Sequence, residues 1–406
     1  MSTSSTISAR PAVRRRSVRP TTTRRSSRAS RPWARTEARV GRRRVSAALP
    51  DFPWDTIAGA RATAAAHPDG LIDLSVGTPV DAVDPLIRDA LSAASGFPGY
   101  PTTIGTRELR DAAADALVRR HGTVSLGDGQ ILPVIGTKEA IAGICSTLGL
   151  GGGDLVVIPQ VAYPTYEVSA ILAGAQPVRA DESGTVPGSA PTLVFLNSPS
   201  NPTGAVMGVE LMRAAVAWAR ERGAIVVSDE CYLGLAWEAE PVSVLDPRVC
   251  DGDVTGLIAV HSLSKTSNLA SYRAGFLAGD ADLVAELLTV RKHSGLMVPF
   301  PVQAAMTAAL TDDRHVDEQA QRYRARREVL KPAVVAAGLR VDDSQAGLYL
   351  WATRDEDARV THHWLAQRGI LTAPGDFYGP AGATHVRIAL TASDEQIGDA
   401  ARRLAG

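Results

Sequence analysis

The chain has 406 residues, 45% hydrophobic and 21% charged, with 43 Lys and Arg balanced by 43 Asp and Glu. That length and apolar content are enough for a large buried core, which excludes a small scaffold held by disulfides; one big domain plus a smaller one is the expectation. No apolar stretch approaches the roughly 18–20 residues needed to span a bilayer, which argues against a helical membrane span.

The neutral balance hides an asymmetry. Residues 1–44 hold many arginines (Arg14, Arg15, Arg16, Arg24, Arg25, Arg42, Arg43 and Arg44 among them), no lysine, and Glu37 as their one acid. The composition is that of a transit peptide or a nucleic-acid arm. With no apolar periodicity and strong like-charge repulsion, it reads instead as a disordered extension, or as sequence upstream of a real start near Val45. The remainder is acidic, so the folded part is expected to bind neither nucleic acid nor membrane. Cys145, Cys231 and Cys250 show no paired spacing. A sparse, odd count fits a reducing cytoplasm rather than a disulfide framework.

From about residue 80 to 290, short apolar runs alternate with helix-like stretches. The runs are Ile131–Ile135, Leu155–Ile158, Leu193–Leu196, Ile225–Val227, Leu257–Val260 and Gly275–Leu277. Their continuous apolar character predicts strands buried on both faces, hence a mostly parallel sheet. Lys138–Leu148, Tyr166–Ala173 and Glu210–Arg222 read as crossover helices. Gly149–Gly153 resembles a phosphate loop but lacks the Lys-Ser/Thr ending, so it reads as a turn before the next strand. Beyond residue 300 the spacing predicts a charged helix at His315–Ala337, strands at Gly347–Ala352 and His385–Leu390, and a last helix at Asp394–Leu404. The expected organisation is α/β: residues 45–75 begin a small domain, 76–295 form the large domain, and 296–406 complete the small one.

Open parallel sheets bind ligands outside the carboxyl ends of their strands. Five such ends collect polar residues: Gly136-Thr137-Lys138-Glu139, Tyr163-Pro164-Thr165-Tyr166, Asn197 to Gly204, Ser228 to Tyr232, and His261 to Lys265. Gly136 and Thr137, opening a helix, suit an anion. Ser262, Ser264 and Arg273 could add donors to a phosphate. Asp229 could keep a pyridine nitrogen protonated. Lys265 could become a nucleophile if desolvated or near positive charge. Taken singly, each has a plainer reading. Asn201–Gly204 is a turn, Asp229 a helix cap, Tyr163 and Tyr166 core, and Lys138 a solvated helix start.

The combination resembles the fold type I pyridoxal-phosphate aminotransferases, the aspartate aminotransferase superfamily. The resemblance rests on Asn201-Pro202-Thr203-Gly204, Asp229-x-x-Tyr232, Ser262-x-Ser264-Lys265, Arg273 and Arg387, and it covers about residue 50 to the end. It implies a pyridoxal 5′-phosphate cofactor, amino-acid and 2-oxo-acid substrates, and no metal. Lys265 is then expected to hold the cofactor as a Schiff base and to shuttle protons. Asp229 would pair with the ring nitrogen, Asn201 and Tyr232 with the phenolic oxygen, and Tyr163 would stack on the ring. Gly136, Thr137, the backbone at Lys138, Ser262, Ser264 and Arg273 would hold the phosphate. Arg387, with Gly77 and Asn201, would clamp the substrate α-carboxylate. Tyr100 resembles the tyrosine that reaches a neighbouring subunit's phosphate, which implies a homodimer with shared active sites.

A finer resemblance is to the actinobacterial succinyldiaminopimelate aminotransferases of lysine biosynthesis. It is carried by Asp51–Asp55, Asp73–Val80, His261–Gly275, Arg291-Lys292-His293 and Ala373–Gly379. Thr266 and Ser271 depart from the arginine and glycine expected there. Substrates of that family carry a distal carboxylate, for which Lys138, Arg107, Arg291 and Lys292 are the candidate cations. Alternatives are another amino-acid aminotransferase, a pyridoxal-phosphate C–S lyase, or a transcription regulator with an aminotransferase-like domain. The last needs a preceding DNA-binding domain, and residues 1–44 show no helix-turn-helix pattern.

Overall fold

The computed structural model describes residues 44–181 and 190–406, and Val45–Gly406 form one compact unit. The arginine-rich extension expected at 1–44 lies, but for Arg44, outside the described residues. The strands, in chain order, are β1 Ile72–Asp73, β2 Ile131–Ile135, β3 Leu155–Ile158, β4 Gln176–Arg179, β5 Leu193–Asn197, β6 Ile225–Asp229 and β7 Leu257–Ser262. They continue with β8 Ala274–Gly279, β9 Arg340–Asp342, β10 Tyr349–Thr353, β11 Ile370–Leu371, β12 Ala373–Pro374 and β13 His385–Ala389.

Seven strands form one sheet in the order β2-β8-β7-β6-β5-β3-β4. The pairs β7–β6, β6–β5, β5–β3 and β3–β4 are parallel, while β8 runs antiparallel to both β2 and β7. The sheet is therefore mostly parallel, as the continuous apolar runs implied. Every residue of β5 (LVFLN), β7 (LIAVHS) and β8 (AGFLAG) is buried. Two hydrophobic clusters cover its faces. One includes Val194, Leu196, Met212 and Val216; the other includes Val156, Ile158, Phe195 and Val227. Residues alternating along β5 enter opposite clusters, as the two-residue period of a strand requires. Burying each such side chain contributes about 1.5–3 kcal/mol.

The reversed direction of β8 has a consequence for the site. Ile135 at the end of β2 pairs with Ala274 at the start of β8, and Ser262 at the end of β7 pairs with Gly275. The entrance of β8 therefore lies at the same edge as the exits of its neighbours, and Arg273 falls between Gly136 and Ser262.

A second sheet, β12-β13-β10-β9, is antiparallel, and β1 pairs in parallel with β11. Helix Arg314–Ala336 runs through Pro332 and packs on the last helix, Asp394–Leu404. That last helix carries a full capping box between Ser393 and Gln396. Among the described residues no helix is long and apolar enough to cross a membrane, and Cys145, Cys231 and Cys250 are free and buried.

Candidate active site

The five polar strand ends do converge on one edge of the large sheet. Asn197 and Asp229 are register neighbours on β5 and β6, and Asp229 lies beside Val260 on β7. Asn197 ties two segments together. Its Nδ2 donates to the Asp229 carbonyl at 2.9 Å and the Pro199 carbonyl at 3.1 Å, and its Oδ1 accepts the Asn201 N–H at 2.7 Å. All of this side chain's polarity is spent on fixing the turn that presents Asn201.

Asp229 is buried at its strand end. Its Oδ2 accepts the Tyr166 hydroxyl at 2.7 Å and its Oδ1 the Cys231 N–H at 3.2 Å. Burial nevertheless holds its pKa above the ordinary carboxylate value, and no cationic side chain among the described residues pairs with it. Lys265 sits on the short helix Leu263–Thr266, capped by Ser262, whose hydroxyl accepts the Ser264 N–H at 3.1 Å. Its ammonium donates to the Gly77 carbonyl. Burial lowers its pKa; Arg387 and Arg273 push in the same direction, against Tyr349 and Cys231.

Gly136 has φ of +75°, a conformation that favours glycine, and a Cβ there would overlap the Arg273 guanidinium. Thr137 opens the helix that follows, and its hydroxyl accepts from the Cys231 thiol at 3.5 Å. Arg273 donates to the Ala270 carbonyl at 2.9 Å and has no acidic partner among the described residues. Lys138 likewise has no ion pair there; its Nζ lies 5.5 Å from the centre of the Phe52 ring. Partial desolvation, then the Arg273 charge, lowers its pKa.

Arg387, 3% exposed, comes from the middle of the second sheet, where it pairs with Trp351 and Ala373. Its Nη1 donates to Asn201 Oδ1 at 2.9 Å and its Nη2 to the Ser75 carbonyl at 2.6 Å, while Nε has no partner. Its guanidinium lies 4.0 Å from the centre of the Tyr349 ring and 5.2 Å from that of Tyr378. The Tyr349 hydroxyl is 3.0 Å from that of Tyr232 and stands where a Cβ of Gly77 would be. Tyr163 meets Tyr166 edge-on at 5.7 Å.

One expected site residue stands apart. Tyr100 is 95% exposed and touches none of the others within the chain. The four candidate distal cations also separate. Arg291 is buried and forked onto Glu139 at 3.0 and 2.9 Å, and Arg107 pairs with Asp111, so neither is free. Lys292 is exposed, and the Arg273 charge acts on Lys138. Thr266 is half-buried and helps wall a cavity of about 790 Å³ with His121, Glu230 and His261; Ser271 is exposed. Contributions from Ser75, Tyr349 and Tyr378 were not legible beforehand. Asn197 and Tyr166 lay inside the strand-end segments, but their sequence neighbours do not reveal which atoms they hold.

The unpaired charges test which ligand fits. Asp229, Lys265 and Arg387 are gathered in the interior without ion-pair partners among the described residues, and uncompensated buried charge is costly; Arg273, exposed beside Gly136, is likewise unpaired. A protonated ring nitrogen suits Asp229, an aldehyde suits Lys265, whose pKa burial lowers, a phosphate suits Arg273 over Gly136, and a carboxylate suits Arg387. Pyridoxal phosphate and an amino acid together supply all four.

Comparison with known proteins agrees. The chain is 64% identical over 360 residues to a probable aminotransferase of Mycobacterium tuberculosis, covering 89% of this chain and 86% of that one. It is 55% identical over 357 residues to the 4-dedimethylamino-4-oxo-anhydrotetracycline transaminase OxyQ of Streptomyces rimosus, covering 88% and 99%. It is 31% identical over 378 residues to an LL-diaminopimelate aminotransferase of Dehalococcoides mccartyi, covering 88% and 96%. Residues 69–404 match the family described as aminotransferase class I and II. The chain belongs to that family, and it is a pyridoxal-phosphate-dependent aminotransferase.

Proposed function

We propose that this aminotransferase exchanges an amino group between glutamate (or 2-oxoglutarate) and N-succinyl-L,L-2,6-diaminopimelate (or N-succinyl-2-amino-6-oxopimelate), a step of lysine biosynthesis in the cytoplasm. The observation that carries it is a pair of cations, Arg387 and Lys138, with no acidic partner among the described residues. Each could take one carboxylate of a dicarboxylic substrate. The LL-diaminopimelate aminotransferase relative supports the same substrate type.

In this reading Lys265 Nζ, its proton loosened by burial, binds the cofactor and then carries protons to and from the substrate Cα. Bound pyridoxal phosphate supplies the electron sink for the charge left at that carbon. Asp229 holds a proton on the ring nitrogen. Asn201 and Tyr232 donate to the phenolic oxygen, and Tyr163 covers the ring. Gly136, Thr137, the Lys138 backbone, Ser262, Ser264 and Arg273 hold the phosphate. Arg387 orients the substrate α-carboxylate with Asn201 and the Gly77 backbone, which sets the Cα–H bond within reach of Lys265. Tyr100, exposed in one chain, would complete the phosphate site of a second copy in a homodimer. The division into 45–75, 76–295 and 296–406 belongs to the same proposal.

A second reading has its own support. The tetracycline-type transaminase is more similar to this chain than the diaminopimelate enzyme is, which favours a bulky polycyclic ketone as acceptor. A transamination screen with glutamate as donor separates the two. Succinylated and unmodified diaminopimelate-type substrates are compared with an anhydrotetracycline 4-ketone and with common aromatic and branched 2-oxo acids. Turnover of the succinylated substrate is expected; turnover confined to the ketone or to aromatic and branched acids would overturn the lysine-pathway reading.

A further inference from the structure

Both oxygens of Asp229 are held by neutral donors, and one donor is a side chain without a role in the reading above. Tyr166 lies in the first turn of helix Thr165–Ala173 and donates its hydroxyl to Asp229 Oδ2 at 2.7 Å. Its ring is fully buried, stacked on Phe195 of β5 at 4.8 Å and 16°, and edge-on to Tyr163 at 5.7 Å and 79°. Its backbone N–H is tied to the Tyr163 carbonyl at 3.1 Å. The ring is thus wedged between strand and helix, and its hydroxyl has one direction to point.

The choice of donor has chemical consequences. An arginine or lysine here would neutralise the carboxylate and leave little field for a ring nitrogen. A phenol favours the ionised carboxylate through a charge-assisted bond and leaves its net charge in place. Burial raises the Tyr166 pKa well above its ordinary value, with the Asp229 charge adding to it, so the phenol stays a donor.

We propose that Tyr166 is a positioning residue for the aminotransferase reaction: its hydroxyl holds Asp229 ionised and in one orientation, so that Asp229 can keep the cofactor's ring nitrogen protonated. This rests on the reading that Asp229 pairs with that nitrogen, and the experiment separates the two claims.

Tyr166→Phe removes one oxygen and keeps the stacking. Cofactor-free full-length protein is titrated with pyridoxal phosphate, following absorbance for the dissociation constant, and the bound cofactor's spectrum is then recorded across pH. The same is done for Asp229→Asn and for the double variant. Loss of a hydrogen bond to a charged group predicts about 10- to 100-fold weaker cofactor binding in Tyr166→Phe, with the ring-nitrogen titration moved to lower pH. In the Asp229→Asn background the Tyr166→Phe effect should largely vanish, because the two act as a unit. Unchanged binding and spectrum in Asp229→Asn itself would sink the Asp229 reading. A clear loss in Asp229→Asn with none in Tyr166→Phe would overturn the role of Tyr166. So would effects that simply add in the double variant, since these mean that the hydroxyl serves the fold alone.

Discussion

Replacing Arg387 with lysine keeps the positive charge and removes the fork. The guanidinium has five N–H donors. One goes to Asn201 Oδ1 at 2.9 Å and one to the Ser75 carbonyl at 2.6 Å, which leaves three, including the unpartnered Nε. Two of those suffice for a bidentate grip on a carboxylate. A lysine has three donors on one nitrogen, and satisfying the same two buried acceptors leaves one. The substrate then loses one charge-assisted hydrogen bond, about 1.5–3 kcal/mol. Weaker stacking over Tyr349, whose ring centre is 4.0 Å from the guanidinium, removes about 0.5–1 kcal/mol more. Together these predict a fall in kcat/KM of roughly 30- to 1000-fold for amino acids. The assay compares kcat/KM for glutamate with that for an amine of the same chain length lacking the α-carboxylate. The amino acid should lose by that factor and the amine should be nearly unchanged. Equal slowing of both, or a loss under about threefold for glutamate, would refute the reasoning.

Lys265→Ala should abolish borohydride-fixed cofactor; label persisting on that variant would rule out Lys265 as the attachment point. Gly136→Ala should weaken cofactor binding by about tenfold or more, because its Cβ overlaps Arg273 at a φ of +75°, and equilibrium dialysis with pyridoxal phosphate checks it. Lys138→Ala should raise KM for substrates with a distal carboxylate by about 3- to 10-fold and leave alanine-type substrates alone; a uniform rise in KM counts against its role. His362 is 3% exposed, and burial lowers its pKa from 6.5 to about 4. The stability of its neutral form is complete above pH 6.5 and is lost as pH falls through about 4, a contribution of about 3 kcal/mol. Urea unfolding at pH 7 and pH 4 should show that difference shrink in His362→Asn; equal pH dependence in variant and wild type would refute it.

The strands of the large sheet and the polar motifs at their ends were legible because their signal is local. A strand buried on both faces must be apolar at every position, so β2, β3 and β5 stand out as short continuous runs. The edge strand β4 was not legible. Its residues Gln176–Arg179 are exposed or half-buried, so nothing selects an apolar pattern. The Ala- and Arg-rich helix Arg107–His121 escaped notice for a similar reason: small residues make a weak apolar stripe.

What the sequence by itself determined is which chemical groups the protein brings: a lysine, an aspartate, a glycine turn and arginines, in the order and spacing of one family. Only the tertiary structure decided which charges remain free to act. Arg291 lost its candidacy to Glu139, which is 152 positions away in the chain, while Arg387 found two neutral acceptors, one of them Asn201 at a separation of 186. The reversed β8 delivered Arg273 to the edge where Gly136 waits, and Tyr166 reached Asp229 from a neighbouring segment. Sequence spacing cannot express such pairings, because an interaction between charges depends on their distance and on how much water lies between them, and both are set by packing.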